Sequence, residues 1–82
     1  MLGILLYDDV QQRFIVQELK NGIIEDTAET VDLHCGDTMT IRIKQGHWQD
    51  TRMEKDLDDD LYGWYLVGVG RAAPLIGHRV EI

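Results

Sequence analysis

Apolar and polar residues alternate most regularly in Thr38–Lys44, where Met, Ile and Ile occupy every second position. Because successive side chains of a strand point to opposite faces, this pattern predicts a strand with one buried and one solvated face. Gln45 and Gly46 predict a turn into a second strand that begins at Trp48, and an apolar run from Trp64 predicts a third. A meander of three strands carrying both tryptophans therefore organises the chain between residues 33 and 65.

Shorter segments on either side follow the same rule. Residues 3–7 and 13–18 predict two strands, and Asn21-Gly22 predicts a tight turn that folds the second of them back onto Ile23 and Ile24. Residues 30–34 alternate as a strand does, and residues 78–82 predict a last strand paired inside the fold. Residues 26–30 predict a loop, within which Asp26 and Thr27 could cap one helical turn. Residues 68–74 predict a flexible connection.

The strand that begins at Trp48 leaves one question open. Trp48 and Met53 are five positions apart, so a regular strand places them on opposite faces. Either a bulge changes the register or one of the two side chains lies outside. Trp64 is predicted to lie in the core. Arg52 shares a nominal face with Trp48, which allows a contact with a carboxylate or an aromatic ring there.

Six or seven short strands without a helical period predict an all-β fold, a small SH3-like barrel or roll, as a single domain over residues 1–82. Closure into a barrel is expected because a small open sheet leaves unpaired edges. The apolar first and last strands could close one barrel or pair across a homodimer.

The chain of 82 residues has a net charge of −7 from eight basic and fifteen acidic residues. This balance argues against direct nucleic acid binding and against anionic membrane surfaces, since both need clustered Lys and Arg. A single Cys cannot form an internal disulfide, which fits a cytoplasmic protein. Residues 1–6 are too short for a signal peptide or a membrane span and are interpreted as part of the first strand.

Residue types that carry chemistry occur without the spacing that chemistry needs. His34 and Cys35 are adjacent and point to opposite faces of a strand, so Cys35 is expected to be a small buried side chain rather than a nucleophile. Those two residues with His47 and His78 lack the paired ligands of a zinc site. The residues at 56, 58 and 60 are spaced as in a calcium-binding loop, but the Gly and Glu that follow in that motif are absent, which leaves a loosely bound cation or a solvated loop. Neither a catalytic set nor a cofactor is expected.

A partner surface is the remaining candidate site. Trp, Tyr and Arg are the residues most favoured at the centre of protein interfaces, and an acidic loop lies close to them in the chain. The predicted surface consists of Trp48, Arg52, Asp58, Asp59, Asp60 and Tyr62.

The order and spacing of several Gly and aromatic positions resembles a known family. The positions are residues 33–37, Gly46 with Trp48, residues 51–54, residues 63–66, and Gly77 with Val80 and Ile82. The family is a domain-of-unknown-function family of very small proteins from Gram-positive bacteria, their phages and mobile elements. The resemblance implies an accessory protein of mobile DNA in the cytoplasm, and it implies no activity.

The function expected from the sequence is a non-enzymatic interaction module with a protein partner. A second hypothesis is an acidic nucleic-acid mimic that inhibits a host DNA- or RNA-binding protein, which needs carboxylates in a contiguous stripe. A third is a small-ligand or metal binder that uses the histidines, Cys35 or the acidic loop.

Overall fold

The structure is a computed structural model that describes residues 1–24, 29–56 and 61–82. Within these ranges it contains strands, turns and two 3₁₀ segments, Leu61–Gly63 and Ala73–Leu75, and no α-helix. No helix in the described ranges is long and apolar enough to span a bilayer. The strands are β1 (Leu2–Asp8), β2 (Arg13–Glu18), β3 (Thr30–Asp32), β4 (Thr38–Lys44), β5 (His47–Lys55), β6 (Trp64–Leu66), β7 (Gly70–Arg71) and β8 (Arg79–Glu81).

All strands belong to one antiparallel sheet with the order β3-β2-β1-β8-β4-β5-β6-β7. The all-β prediction is confirmed, and β4, β5 and β6 form the predicted meander. β8 pairs with β1 on one side and with β4 on the other, so the last strand lies inside the sheet as predicted. The first and last strands pair with each other within one chain.

Two turns show how local sequence sets these strands. Asn21 and Gly22 adopt φ angles of 53° and 77°, and Lys20 and Ile23 exchange two backbone hydrogen bonds of 2.9 and 3.0 Å. The predicted tight turn is thus present, but it is closed by a single β-bridge between Lys20 and Ile23. The strand that pairs with β2 is β3, not the segment at Ile23 and Ile24. The helical turn considered at Asp26 and Thr27 falls on residues outside the described ranges.

In the turn between β1 and β2, the Asp8 carboxylate accepts hydrogen bonds from the Val10 amide (2.9 Å) and the Gln11 side chain (2.8 Å). The bond from the Gln11 side chain is the main cause that lowers the pKa of Asp8 below the usual range of a carboxyl group.

The core lies on one face of the sheet, and the sheet curls around it. Phe14 on β2 and Trp64 on β6 are in edge-to-face contact, with ring centroids 6.2 Å apart. In a flat sheet these strands, five positions apart in the order, would lie about 24 Å apart. Curvature therefore brings both halves of the sheet onto a common core, whose other buried members are Leu5, Val16, Leu33, Met39, Ile41, Met53, Leu66, Ala72 and Val80.

The sequence-based prediction of a closed, SH3-like barrel is not supported. In the described residues the sheet is open, its edge strands β3 and β7 do not pair with each other, and eight strands take the place of six or seven. Curling covers the core without closing the hydrogen-bond ladder, and the edges are only three and two residues long, which limits the unpaired backbone they expose. The predicted flexible connection at residues 68–74 is also corrected, since it contains β7 and the 3₁₀ segment at Ala73–Leu75.

Candidate functional site

The side of the sheet opposite the core is solvated, and we call it the outer face. It is defined by the strand positions that alternate with buried residues. On β8, for example, Arg79 and Glu81 flank the buried Val80, and on β5 the buried Thr51 and Met53 leave Asp50 and Arg52 outside. The outer face also carries partly exposed apolar residues on β1 and β2, namely Leu2, Ile4, Leu6 and Ile15.

Trp48 lies on this outer face. It is 41% exposed, whereas Met53 is fully buried and Trp64 is 5% exposed. The prediction that Trp64 belongs to the core is confirmed, and of the two alternatives for β5, the tryptophan is the residue that lies outside. A register irregularity does occur between Arg42 and Lys44 on β4, next to the turn, but it leaves Trp48 directly opposite Arg42.

Trp48 forms one wall of a surface depression. The depression has a volume of about 280 Å³ and is lined by Leu2, Thr40, Trp48 and Glu81. A larger groove of about 540 Å³ shares Thr40 and Glu81 and also includes Asp50. The Thr40 hydroxyl donates a 2.9 Å hydrogen bond to the Asp50 carboxylate, which orients that carboxylate toward β4. The exposed indole of Trp48, the apolar side chain of Leu2 and the Glu81 carboxylate therefore line the same depression.

Charge on the outer face is balanced. All five arginines of the chain occupy outward strand positions, and five carboxylates share this face. These ten charges cancel, so the net charge of −7 equals that of the remaining ten carboxylates and three lysines. The arginines are Arg13, Arg42, Arg52, Arg71 and Arg79, and the carboxylates are Asp8, Asp32, Asp50, Glu54 and Glu81.

Of the residues predicted to form a partner surface, Trp48 and Arg52 share the outer face of β5. Arg52 Nε lies 3.8 Å from the Glu54 carboxylate, which is the Arg–carboxylate contact that the sequence allowed. Tyr62, 68% exposed, lies beyond the far end of β5, about 23 Å of strand from Trp48. The structure therefore does not bring Tyr62 to Trp48. Asp58, Asp59 and Asp60 lie outside the described residues.

The candidate ligands for metal or catalysis are dispersed. His34 and Cys35 are exposed in the turn before β4, so the expectation that Cys35 is buried is wrong. Cys35 lies in the turn between Leu33 and Met39, and those two side chains, not Cys35, are buried. His47 is exposed, and the Nδ1 atom of His78 lies 2.8 Å from the Arg42 carbonyl oxygen. In the described ranges, no three His, Cys, Asp or Glu side chains are grouped as a metal site requires.

Several of the described carboxylates lie beside a cation: Glu18 beside Lys20, Glu54 beside Arg52, and Asp56 beside Arg71. Neighbouring cations reduce the local negative field that a nucleic-acid mimic needs. The part of the chain that the structure describes therefore gives the mimic hypothesis no support.

Sequence reasoning did not count the arginines by face, and it therefore missed their balance with carboxylates. The signal was available, since Arg42 and Arg79 alternate with residues predicted to be buried. What the sequence could not supply is the strand order, which brings β8 between β1 and β4 and so places Arg79 and Glu81 near Trp48.

Comparison with known proteins identifies a family and a similar structure. A family model described as a domain of unknown function (DUF5348) matches residues 3–82. A crystal structure of a protein from Ruminococcus gnavus, a structural genomics target, is similar to this chain at 30% identity, covers both chains completely and has a TM-score of 0.71. No curated protein matches the sequence. These similarities establish the fold and name no ligand or activity.

Proposed function

The chain belongs to the DUF5348 family of domains of unknown function, and we propose that it is a non-enzymatic protein–protein interaction module that binds its partner through the outer face around Trp48. The observation that carries this proposal is Trp48 itself. An indole that is 41% exposed beside a depression of about 280 Å³ offers a large apolar contact area to a partner.

The surroundings of Trp48 support a protein as the partner. Arginine is enriched in protein interfaces, and every arginine of the chain occupies an outward strand position on this face. The partly exposed Leu2 and Ile4 add apolar surface beside β8. Context as an accessory protein of a phage or mobile element in the cytoplasm is part of the proposal and rests on the sequence resemblance.

Partner capture from a bacterial lysate, using matched aromatic variants as bait, tests the proposal. Trp48→Ala removes the indole from the outer face, and Tyr62→Ala removes an exposed aromatic side chain at the other end of β5. We expect the first variant to lose the captured protein and the second to retain it, at both low and high salt. Circular dichroism confirms that both variants are folded.

Loss with Tyr62→Ala and retention with Trp48→Ala would move the partner surface to the acidic loop and refute the outer-face assignment. If the wild type captures the protein at low salt only, and both variants capture as much of it as the wild type does, the interaction is a nonspecific charge interaction instead.

A further inference from the structure

Charged and apolar side chains form two rows across the centre of the outer face. The register pairs Leu2 with Glu81 and Ile4 with Arg79, and it pairs Thr40 with Glu81 on the other side of β8. Continuing that register by two positions places Arg42 beside Arg79, and β5 extends both rows. The first row contains Ile4, Arg79, Arg42 and Trp48, and the second contains Leu2, Glu81, Thr40 and Asp50.

Most of the charged side chains in these rows have no ion-pair partner among the described residues. Arg42 and Arg79 form no ion pair with any described residue, and Asp50 accepts its hydrogen bond from a hydroxyl group rather than from a cation. The Glu81 carboxylate lies 3.5 Å from the amino group of Met1, and its side chain remains 55% exposed. Basic and acidic groups about one strand spacing apart are therefore available to an external partner.

We propose that the outer face binds a second copy of this chain, an inference that rests on the proposed function and names the partner. A twofold axis that crosses the strands between the two rows turns each row onto the other. Arg79 of each copy then faces Glu81 of the other, and Ile4 faces Leu2. In the same way Arg42 faces Thr40, and Trp48 faces Asp50. Because the Arg79–Glu81 pair forms twice, the centre of the face is complementary to itself, as an interface between two identical copies requires.

The size of the face sets the strength of this dimer. The two rows take two outward positions on each of four strands, and β1, β4 and β5 each add one more, whereas β8 has only Arg79 and Glu81. At about 4.8 by 6.7 Å for each position, this part of the face covers roughly 350 Å² on each copy, because the curvature of the sheet keeps the outer strands apart. A total of about 700 Å² is well below the standard interface of about 1,600 Å², so we expect a weak dimer that forms only at high protein concentration. The five arginines and five carboxylates of the outer face cancel, so this face adds no net charge repulsion between the two copies.

Sedimentation velocity between about 10 µM and 1 mM tests the dimer with two reciprocal charge variants, R79E and E81R. Wild type should rise from 9.4 kDa toward twice that mass. Each variant alone should dimerise at least about tenfold more weakly, since like charges then face each other. An equimolar mixture should dimerise again, because the carboxylates introduced by R79E face the basic groups introduced by E81R. K44E, which makes the same charge change at the β4–β5 turn, should behave as wild type.

A wild-type protein that stays monomeric at 1 mM overturns the dimer. So does a mixture that fails to associate, or a K44E variant that is weakened as much as R79E. Thermal unfolding of each variant shows that it is folded. The proposed function is tested separately, since loss of a captured partner by Trp48→Ala with a monomeric wild type would sustain the interaction module and reject self-association.

Discussion

Replacing Phe14 by Leu tests whether the core contact between the two halves of the sheet stabilises this open fold. Phe14 is fully buried, and its ring packs edge-to-face against Tyr7 at 5.0 Å and against Trp64 at 6.2 Å. Leu keeps most of the apolar volume but loses both aromatic pairs, each contributing about 0.5–1.5 kcal/mol beyond area burial. We expect the free energy of unfolding to fall by about 2 kcal/mol.

That loss is large for this chain. Typical stabilities of about 0.05–0.15 kcal/mol per residue give an 82-residue domain roughly 4–12 kcal/mol. Phe14→Ala, which costs about 3–5 kcal/mol at such a site, would approach that whole range, so Leu is the informative substitution. With a urea m-value of about 1 kcal/mol/M, the unfolding midpoint should shift down by about 2 M.

Urea unfolding followed by far-ultraviolet circular dichroism measures this shift without depending on the two tryptophans. Val10→Ala is the matched control, because Val10 is 93% exposed in the β1–β2 turn. If Phe14→Leu changes the midpoint no more than Val10→Ala does, the contact between β2 and β6 does not stabilise the protein. The curled, open sheet would then be the wrong account of its stability.

Three further outcomes are expected. Gly3→Ala should lower the free energy of unfolding by about 1–3 kcal/mol, measured by chemical unfolding, because a Cβ at residue 3 would clash with the Val16 side chain and the Gln17 carbonyl oxygen. A Cβ at Gly46, which lies in an open turn, meets no atom within 4 Å, so Gly46→Ala should show only the cost of its positive φ angle. The lowered pKa of Asp8 means that folding favours its ionised form. Its stabilising contribution is therefore present above the ordinary aspartate pKa of about 3.9 and is lost as the pH falls through the lower pKa of the folded protein. Asp8→Asn should flatten this part of the curve of stability against pH, and an unchanged curve would contradict the argument. Cys35, exposed in its turn, should react with a thiol reagent under native conditions as fast as in urea, and a much slower native reaction would show that it is covered.

The hydrophobic pattern was sufficient to predict most strands. β2 and β4 were predicted within the bounds that the structure gives them, because Phe14 and Val16 share one face of β2 and β4 alternates strictly about a buried face. Asn21-Gly22 was predicted as a turn because few residue pairs adopt two consecutive positive φ angles. These signals are local, so neither depends on knowing which strands become neighbours.

Properties that depend on long-range pairing could not be read in this way. β7 was missed because two residues carry no alternation, and its pairing with β6 depends on Tyr65 lying opposite Arg71. Closure was predicted from the cost of open edges, but that cost is small when the edge strands are short. The contact between Phe14 and Trp64 spans fifty residues of sequence, and no local pattern indicates it.

The net charge of the whole chain and the charge of the outer face are different quantities, and composition gives only the first. A net charge of −7 suggested a basic partner for the whole surface, yet the outer face carries equal numbers of arginines and carboxylates. Alternation places Arg42 and Arg79 outside wherever their neighbours are buried, so the balance follows from the strand pattern once it is counted by face. The other described carboxylates include Asp9, Asp37 and Asp56, which lie outside the strands. The partner of the Trp48 surface therefore need not be basic, and its recognition should depend on shape and on matched pairs of opposite charge.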